Sequence, residues 1–187
     1  KIKARIKIGF FHEPCGFLCI YLSGKLGLFL SLKFLSRNNT MSQFHQIPVK
    51  EIRRETDDTV SIALDVADSI KEEFGYLPGQ YLTIKTNING EEVRRSYSLC
   101  SSPHEGEWRV AVKKVEKGRF STYANEALKE GDVLEVMPPM GNFTVETDKG
   151  NQKKYAAFAS GSGITPVMSI MKSVLREEPN SRFLLFY

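Results

Sequence analysis

Apolar and polar residues alternate along much of the chain. Val60, Ile62, Leu64 and Val66 fall on every second position, which marks one face of a half-buried strand. Residues 47–55 show the same habit, and Thr56-Asp57-Asp58 between the two segments is turn chemistry. Leu77-Pro78-Gly79-Gln80 predicts a turn into a strand over 81–86. Asn89-Gly90 predicts a tight hairpin into a strand over 91–99. Glu105-Gly106 turns the chain into a strand over 108–115, where Val110, Val112 and Val115 are apolar. The period then lengthens. Phe120, Tyr123, Ala124, Ala127 and Leu128 recur at helical spacing, predicting a short helix over 120–129. Glu130-Gly131-Asp132 ends it, and residues 133–137 predict a further strand.

Short strands with turn signals and one short helix predict an all-β, six-stranded antiparallel Greek-key barrel over 41–146. Residues 147–153 are polar and read as a linker. Tyr155-Ala156-Ala157-Phe158-Ala159 is a continuous apolar run, as expected of a strand buried on both faces of a parallel sheet. A glycine-rich turn follows. Val167, Ile170, Met171, Val174 and Leu175 then keep helical spacing, Pro179-Asn180 breaks the helix, and 183–187 is a second strand. Residues 154–187 therefore predict the first β-α-β unit of an α/β nucleotide-binding domain. One such unit cannot cover both faces of a sheet, so the expectation is a truncated domain in a fragment.

Charge changes the picture at the N-terminus. The formal net charge is +4. Residues 1–40 hold seven Lys/Arg and one Glu, while the remainder holds nineteen Lys/Arg and twenty-one Asp/Glu. The main body is slightly acidic, which removes support for nucleic-acid binding. Residues 16–35 are apolar apart from Ser23, Lys25, Ser31 and Lys33. A signal peptide or weak membrane anchor is one reading. The two lysines interrupt the run, and the favoured expectation is a leader outside the folded protein, which starts at Met41. The cysteines, at 15, 19 and 100, form neither a disulfide framework nor a metal-ligand cluster. The chain reads as cytoplasmic and reduced, and membrane attachment is not expected.

Three stretches carry candidate chemistry. In Arg95-Ser96-Tyr97-Ser98, Arg95 offers a fork of donors suited to phosphate. Tyr97 shares its strand face and could stack on a flat ring. Ser98 faces the other way and would need a twist or bulge to reach the same ligand. A surface Arg–Tyr pair on a sheet explains this stretch equally well. In Gly118-Arg119-Phe120-Ser121-Thr122, the glycine allows close approach and a helix start near Ser121 favours anions. An ordinary helix cap is the competing reading. Gly161-Ser162-Gly163-Ile164-Thr165-Pro166 is G-x-G-x-x-P rather than the dinucleotide fingerprint, yet it lies between a buried strand and a helix. Pro166 suits the first turn of that helix.

Taken in order, and with Pro138-Pro139-Met140-Gly141-Asn142-Phe143, these motifs resemble the ferredoxin-NADP⁺ reductase family across residues 44–187. Within that family, Pro78-Gly79-Gln80-Tyr81-Leu82-Thr83 and the Arg95 and Gly118 motifs are most similar to the reductases of phenylacetyl-CoA ring epoxidation. The resemblance implies an NAD(P)H-dependent flavoprotein oxidoreductase of phenylacetate catabolism. Arg95 would pair with the FAD diphosphate, and Ser96 would belong to the same flavin-binding strand. Tyr97 and Ser98 would be the catalytic pair, one stacked on the flavin and the other bonded near N5. Val112 and Lys113 would line the ribityl side through backbone groups. Gly118, Phe120, Ser121 and Thr122 would close on the diphosphate, and Gly161, Gly163, Thr165 and Pro166 would receive the nicotinamide. Electrons would pass from NAD(P)H through FAD to an iron–sulfur centre and the oxygenase component of a multicomponent enzyme. The epoxidase reductases carry a [2Fe–2S] cluster on C-x₄-C-x₂-C cysteines. This sequence lacks them, so a cluster is expected only in a missing C-terminal part. The alternatives are the reductase module of a flavohaemoglobin-like or free flavin reductase, and a non-catalytic flavin electron-transfer subunit.

Overall fold

The computed structural model describes residues 5–8, 20–23 and 43–187. Strands β1 (Arg5–Ile8) and β2 (Ile20–Ser23) pair antiparallel. The rest of the expected leader, with most of its apolar run and Cys15 and Cys19, lies outside the described residues.

The main sheet holds β3 (His45–Thr56), β4 (Thr59–Leu64), β5 (Tyr81–Ile88), β6 (Glu91–Ser98), β7 (Trp108–Lys113) and β8 (Val133–Val136). Its order is β6-β5-β8-β3-β4-β7, with every pairing antiparallel. A bridge between Leu99 and Val110 joins the two end strands and closes the barrel. These are the six strands the alternation predicts, in a Greek-key order.

Strand β3 serves both halves of the barrel. Residues His45 to Pro48 pair with β8, and Val49 to Thr56 pair with β4. Pro48 sits at the change of partner, where a missing N–H is tolerated, and its carbonyl accepts from Asp65 N at 2.9 Å. The β5–β6 hairpin turns on Asn89 (φ 55°) and Gly90 (φ 84°). Positive φ at both central residues is the type I′ geometry that fits strand twist.

Ile47, Val60, Ile62, Leu82, Ile84, Val110, Val112, Leu134 and Val136 fill the barrel, each at most 1% exposed. Helix α1 (Arg119–Glu126) lies against the barrel and adds Phe120 and Ala124 to this core. The helix starts slightly before the predicted position and stops earlier. Ala127 and Leu128 both turn back to Tyr123 O at 2.9 Å.

Residues beyond the barrel form β9 (Lys154–Phe158), helix α2 (Ile164–Glu177) and β10 (Arg182–Phe186). The two strands pair in parallel, Tyr155 opposite Phe183, as the predicted β-α-β unit requires. Ile170 and Val174 of α2 pack with Tyr155, and Phe143 and Val145 of the preceding segment join them. The pairs Ala156/Phe158 and Leu184/Phe186 point to the other sheet face. Phe158 and Phe186 are each 50% exposed and stack at 4.6 Å between centroids.

Candidate functional site

The Leu99–Val110 bridge leaves most of β6 and β7 unjoined. Backbone alternation identifies the atoms that face this opening. Leu99 N donates to Gln80 O at 2.9 Å, on the β5 side. In a regular antiparallel pair the neighbouring positions then point away, so the amides and carbonyls of Ser96 and Ser98 face the opening. On β7, Lys114 N donates to Asp58 O at 2.6 Å on the β4 side, and Arg109 O accepts from Cys100 N at 2.9 Å on the β6 side. The backbone groups of Ala111 and Lys113 therefore face β6. Beyond the bridge the two strand edges face each other without ladder pairing, an arrangement that suits a flat molecule with polar edges.

No twist or bulge turns Ser98 toward the Tyr97 face. The β5–β6 register runs from Tyr81↔Ser98 to Ile88↔Glu91 without a shift. Side chains at Ser96 and Ser98 keep to the outer face, where Ser96 Oγ lies 3.0 Å from Thr83 Oγ1. The amide of Ser98, rather than its hydroxyl, is the group presented to the opening. Tyr97 and Arg95 share the opposite face with buried Val93 and Leu99. The Tyr97 ring lies 5.4 Å from Phe120, tilted 35°. Burial pushes the Tyr97 phenol up to about 12, against the opposing pull of the Arg95 charge. It stays a neutral O–H donor. Arg95 is exposed, and its Nη1 donates to Arg94 O at 2.7 Å.

Gly118 caps α1. A Cβ there would stand 2.2 Å from Ser121 Oγ and 2.5 Å from Val115 Cγ2, so any larger residue would force these side chains to move. Thr122 N makes the first helical bond, to Gly118 O at 2.9 Å. The amides of Arg119, Phe120 and Ser121 precede it and have no acceptor within the helix. Amides left over at a helix start of this kind favour anions. The Ser121 hydroxyl does not add to that end. It is buried, donates to Gly118 O at 3.3 Å and accepts from Val115 N at 3.2 Å. Thr122 is part-exposed beside it.

Val112 and Lys113 part company. Val112 is fully buried in the barrel, and its carbonyl accepts from Asn125 Nδ2 at 3.0 Å, so it does not line the opening. Lys113 contributes its backbone edge, while its ammonium pairs with Asp58 at 3.2 Å. Ala111, which sequence reasoning passed over, shares that edge. Asn125 and Arg54 were also missed. Asn125 Nδ2 donates to Ser121 O as well, at 2.9 Å, and Arg54 donates to Asn125 Oδ1 at 2.9 Å and Asn125 O at 2.7 Å. This chain of bonds pins α1 to β7 and β3. The available signal was a polar residue four positions after Ser121, on the helix face that also carries Ala124.

The second candidate turn, Gly161–Gly163, is a single 3-10 turn with Gly161 at φ 54°. Thr165 Oγ1 donates to Ser162 O at 2.9 Å, and Pro166 occupies the first turn of α2. The α2 helix docks on the barrel through Ser169 Oγ, which donates to Ser101 O at 2.6 Å. Thr165 stands one helical turn before Ser169, about 6 Å along the axis. Ser98 precedes Ser101 by three residues. The glycine-rich turn and the β6 motif therefore flank one contact.

These features fit a flavin dinucleotide: facing strand edges for the ring, a half-buried phenol beside them, an exposed guanidinium, and a glycine-capped helix start for a diphosphate. Comparison with known proteins agrees. Residues 46–145 match the family described as oxidoreductase FAD-binding domain. The chain is 45% identical over 147 residues to a component polypeptide of the 1,2-phenylacetyl-CoA epoxidase of Escherichia coli (strain K12), covering 79% of this chain and 41% of that protein. It is 34% identical over 131 residues to a flavohemoprotein of Burkholderia sp. (strain TH2), covering 70% of this chain and 32% of that protein. Phthalate dioxygenase reductase, described as a modular structure for electron transfer from pyridine nucleotides to [2Fe-2S], superposes with a TM-score of 0.59. It is 30% identical, over 76% of this chain and 42% of that one. The chain thus spans less than half the length of each of these proteins. It belongs to the FAD-binding domain family of oxidoreductases, with the barrel of the ferredoxin reductases.

Proposed function

We propose that this chain is the flavin-binding part of an NAD(P)H-dependent reductase that delivers electrons, through an iron–sulfur centre, to the oxygenase of phenylacetyl-CoA epoxidation. The observation that carries the reading is the pair of facing β6 and β7 edges beside Arg95 and the start of α1. Bound FAD supplies the hydride-accepting and electron-releasing chemistry. Arg95 and the first α1 amides hold its diphosphate, with Gly118, Phe120 and Thr122 shaping the cradle. Tyr97 packs on the ring, and the Ser98 amide, with its neighbour Ser96, addresses the polar edge. The Lys113 backbone holds the opposite side.

Residues 41–146 form the flavin unit, 147–153 the linker and 154–187 the start of the nicotinamide unit. Gly161, Gly163, Thr165 and Pro166 admit the nicotinamide from above the Ser101–Ser169 contact. The chain's role is to align two flat rings at near-attack distance and keep water out. The identity to the epoxidase component supports this partner and substrate. No helix among the described residues is long and apolar enough to cross a membrane, which is compatible with a cytoplasmic site of action.

The test is an absorbance titration of the full chain with FAD. A flavin band that shifts and sharpens on binding is expected, and a folded chain that leaves FAD unbound overturns the reading. The flavohemoprotein similarity supports a second reading, a reductase module serving a haem domain. Stopped-flow reoxidation of the reduced holoprotein by a [2Fe–2S] ferredoxin domain and by a globin domain separates the two. The faster partner identifies the acceptor class.

A further inference from the structure

Resting on that reading, we infer that the pairs Lys172–Glu105 and Glu177–His104 are a positioning clasp, which sets the angle at which the nicotinamide unit meets the flavin barrel. Helix α2 has two different buried faces. Val167, Ile170 and Val174 are buried on one, where Ile170 and Val174 pack with Tyr155 of β9. Ser169, Lys172, Ser173 and Glu177 share the other, at about 100° of turn per residue. Ser169 and Ser173 are buried along its middle. Lys172 and Glu177 stand on its two flanks.

This polar face meets one short segment of the barrel, residues 101–105. The Ser169–Ser101 bond is the central contact. On one flank Lys172 Nζ reaches both carboxylate oxygens of Glu105, at 3.1 and 3.2 Å. Glu105 is already held by its own turn, since its Oε2 accepts from Ser102 N at 2.7 Å. On the other flank one oxygen of Glu177 meets His104 Nε2, and the second accepts from Thr147 Oγ1. Three contacts off one line fix a rotation as well as a position. Magnitudes separate alignment from stability. The four paired side chains are between 31% and 41% exposed, and such pairs add little to folding. The apolar face holds α2 on β9 without them. Alignment of reacting groups is far more sensitive, because a displacement of about 1 Å can slow transfer about a hundredfold. With the Ser169–Ser101 bond as the only tie, α2 could swing about it. Thr165 and the Gly161–Gly163 turn would swing with it, relative to Ser98. The flanking pairs oppose that swing.

The closing experiment uses the full chain loaded with FAD, as the parent, as Lys172→Arg, and as the double variant Lys172→Glu with Glu177→Lys. The double variant sets like charge against Glu105 and a cation against His104. Nitroxides on keto side chains introduced at exposed positions 129 and 175 report the barrel-to-α2 distance by pulsed electron paramagnetic resonance. Stopped flow gives the limiting rate of flavin reduction by NADH. The parent and Lys172→Arg are expected to share one narrow distance and limiting rates within twofold. The double variant is expected to broaden or shift the distance and to lose at least tenfold in limiting rate, with FAD affinity within twofold of the parent. An unchanged distance or an unchanged rate in the double variant overturns the clasp. So does a matching loss of FAD affinity, or a Lys172→Arg form as slow as the double variant. A parent whose bound flavin NADH does not reduce overturns the nicotinamide reading itself and the clasp with it.

Discussion

The ring of Tyr97 lies 5.4 Å from that of Phe120, so β6 and the helix that follows β7 share one aromatic contact. Phe120 is 1% exposed. Replacing it with alanine removes a large core side chain and leaves a cavity, at a cost of about 3–5 kcal/mol. Phe120→Leu keeps most of the volume and is expected to cost about 1 kcal/mol. Because Tyr97 then loses its aromatic neighbour, the absorbance of bound FAD should shift in Phe120→Leu at unchanged secondary structure. Thermal melts with flavin spectra check both effects.

Arg95 separates binding from stability. It is exposed, and its side-chain bond runs to the carbonyl of its own neighbour. Arg95→Ala should leave the unfolding free energy within about 0.5 kcal/mol of the parent. FAD affinity should fall by roughly tenfold to a hundredfold, the worth of a charged hydrogen bond of about 1.5–3 kcal/mol. Paired denaturation and flavin titrations give the two numbers, and an unchanged affinity sinks the diphosphate role.

Gly118→Ala should damage both properties together. The added carbon would press on Ser121 Oγ and Val115 Cγ2. Relief of that overlap requires the turn to shift, at roughly 1–3 kcal/mol, and the first amides of α1 shift with it. Urea unfolding and FAD titration should show parallel losses, in contrast to Arg95→Ala.

Glu178 predicts an acid limb of stability. It is fully buried at the end of α2. Burial pushes its carboxyl up, and hydrogen bonds from Ser181, Asn151, Tyr155 and the Asp148 amide outweigh this and hold it below the ordinary value of 4.5. A carboxyl depressed in the folded state stabilises above its unfolded pKa and loses that contribution as pH falls through the folded one. The stabilisation is thus present at neutral pH and fades below 4.5. Glu178→Gln should be less stable than the parent at neutral pH and should show a shallower acid loss in denaturation series.

Much of the barrel was legible in the alternation. Val60, Ile62 and Leu64 point inward as their spacing requires, and Asn89-Gly90 makes the hairpin turn its residue types favour. The site was legible in part. That Arg95 and Tyr97 share a face follows from the period of two. Which backbone edge of Ser98 is unpaired depends on a partner eighteen positions away, Gln80 O, and on the distant arrangement of β7. Spacing alone carries no such information. The same limit misplaced Val112, whose parity is set by pairing with Val60 of β4. Ser121 looked like a ligand hydroxyl because its use within the 115–118 turn is visible only once the turn has closed.

The single bridge at Leu99–Val110 has a further consequence. A barrel normally has no exposed edge, whereas this one carries two short lengths of open sheet that could template pairing between molecules. On the reading proposed above, the flavin covers those edges and serves the barrel as a substitute strand. The flavin-free protein should consequently be the sticky form, and saturating FAD during refolding should suppress its self-association.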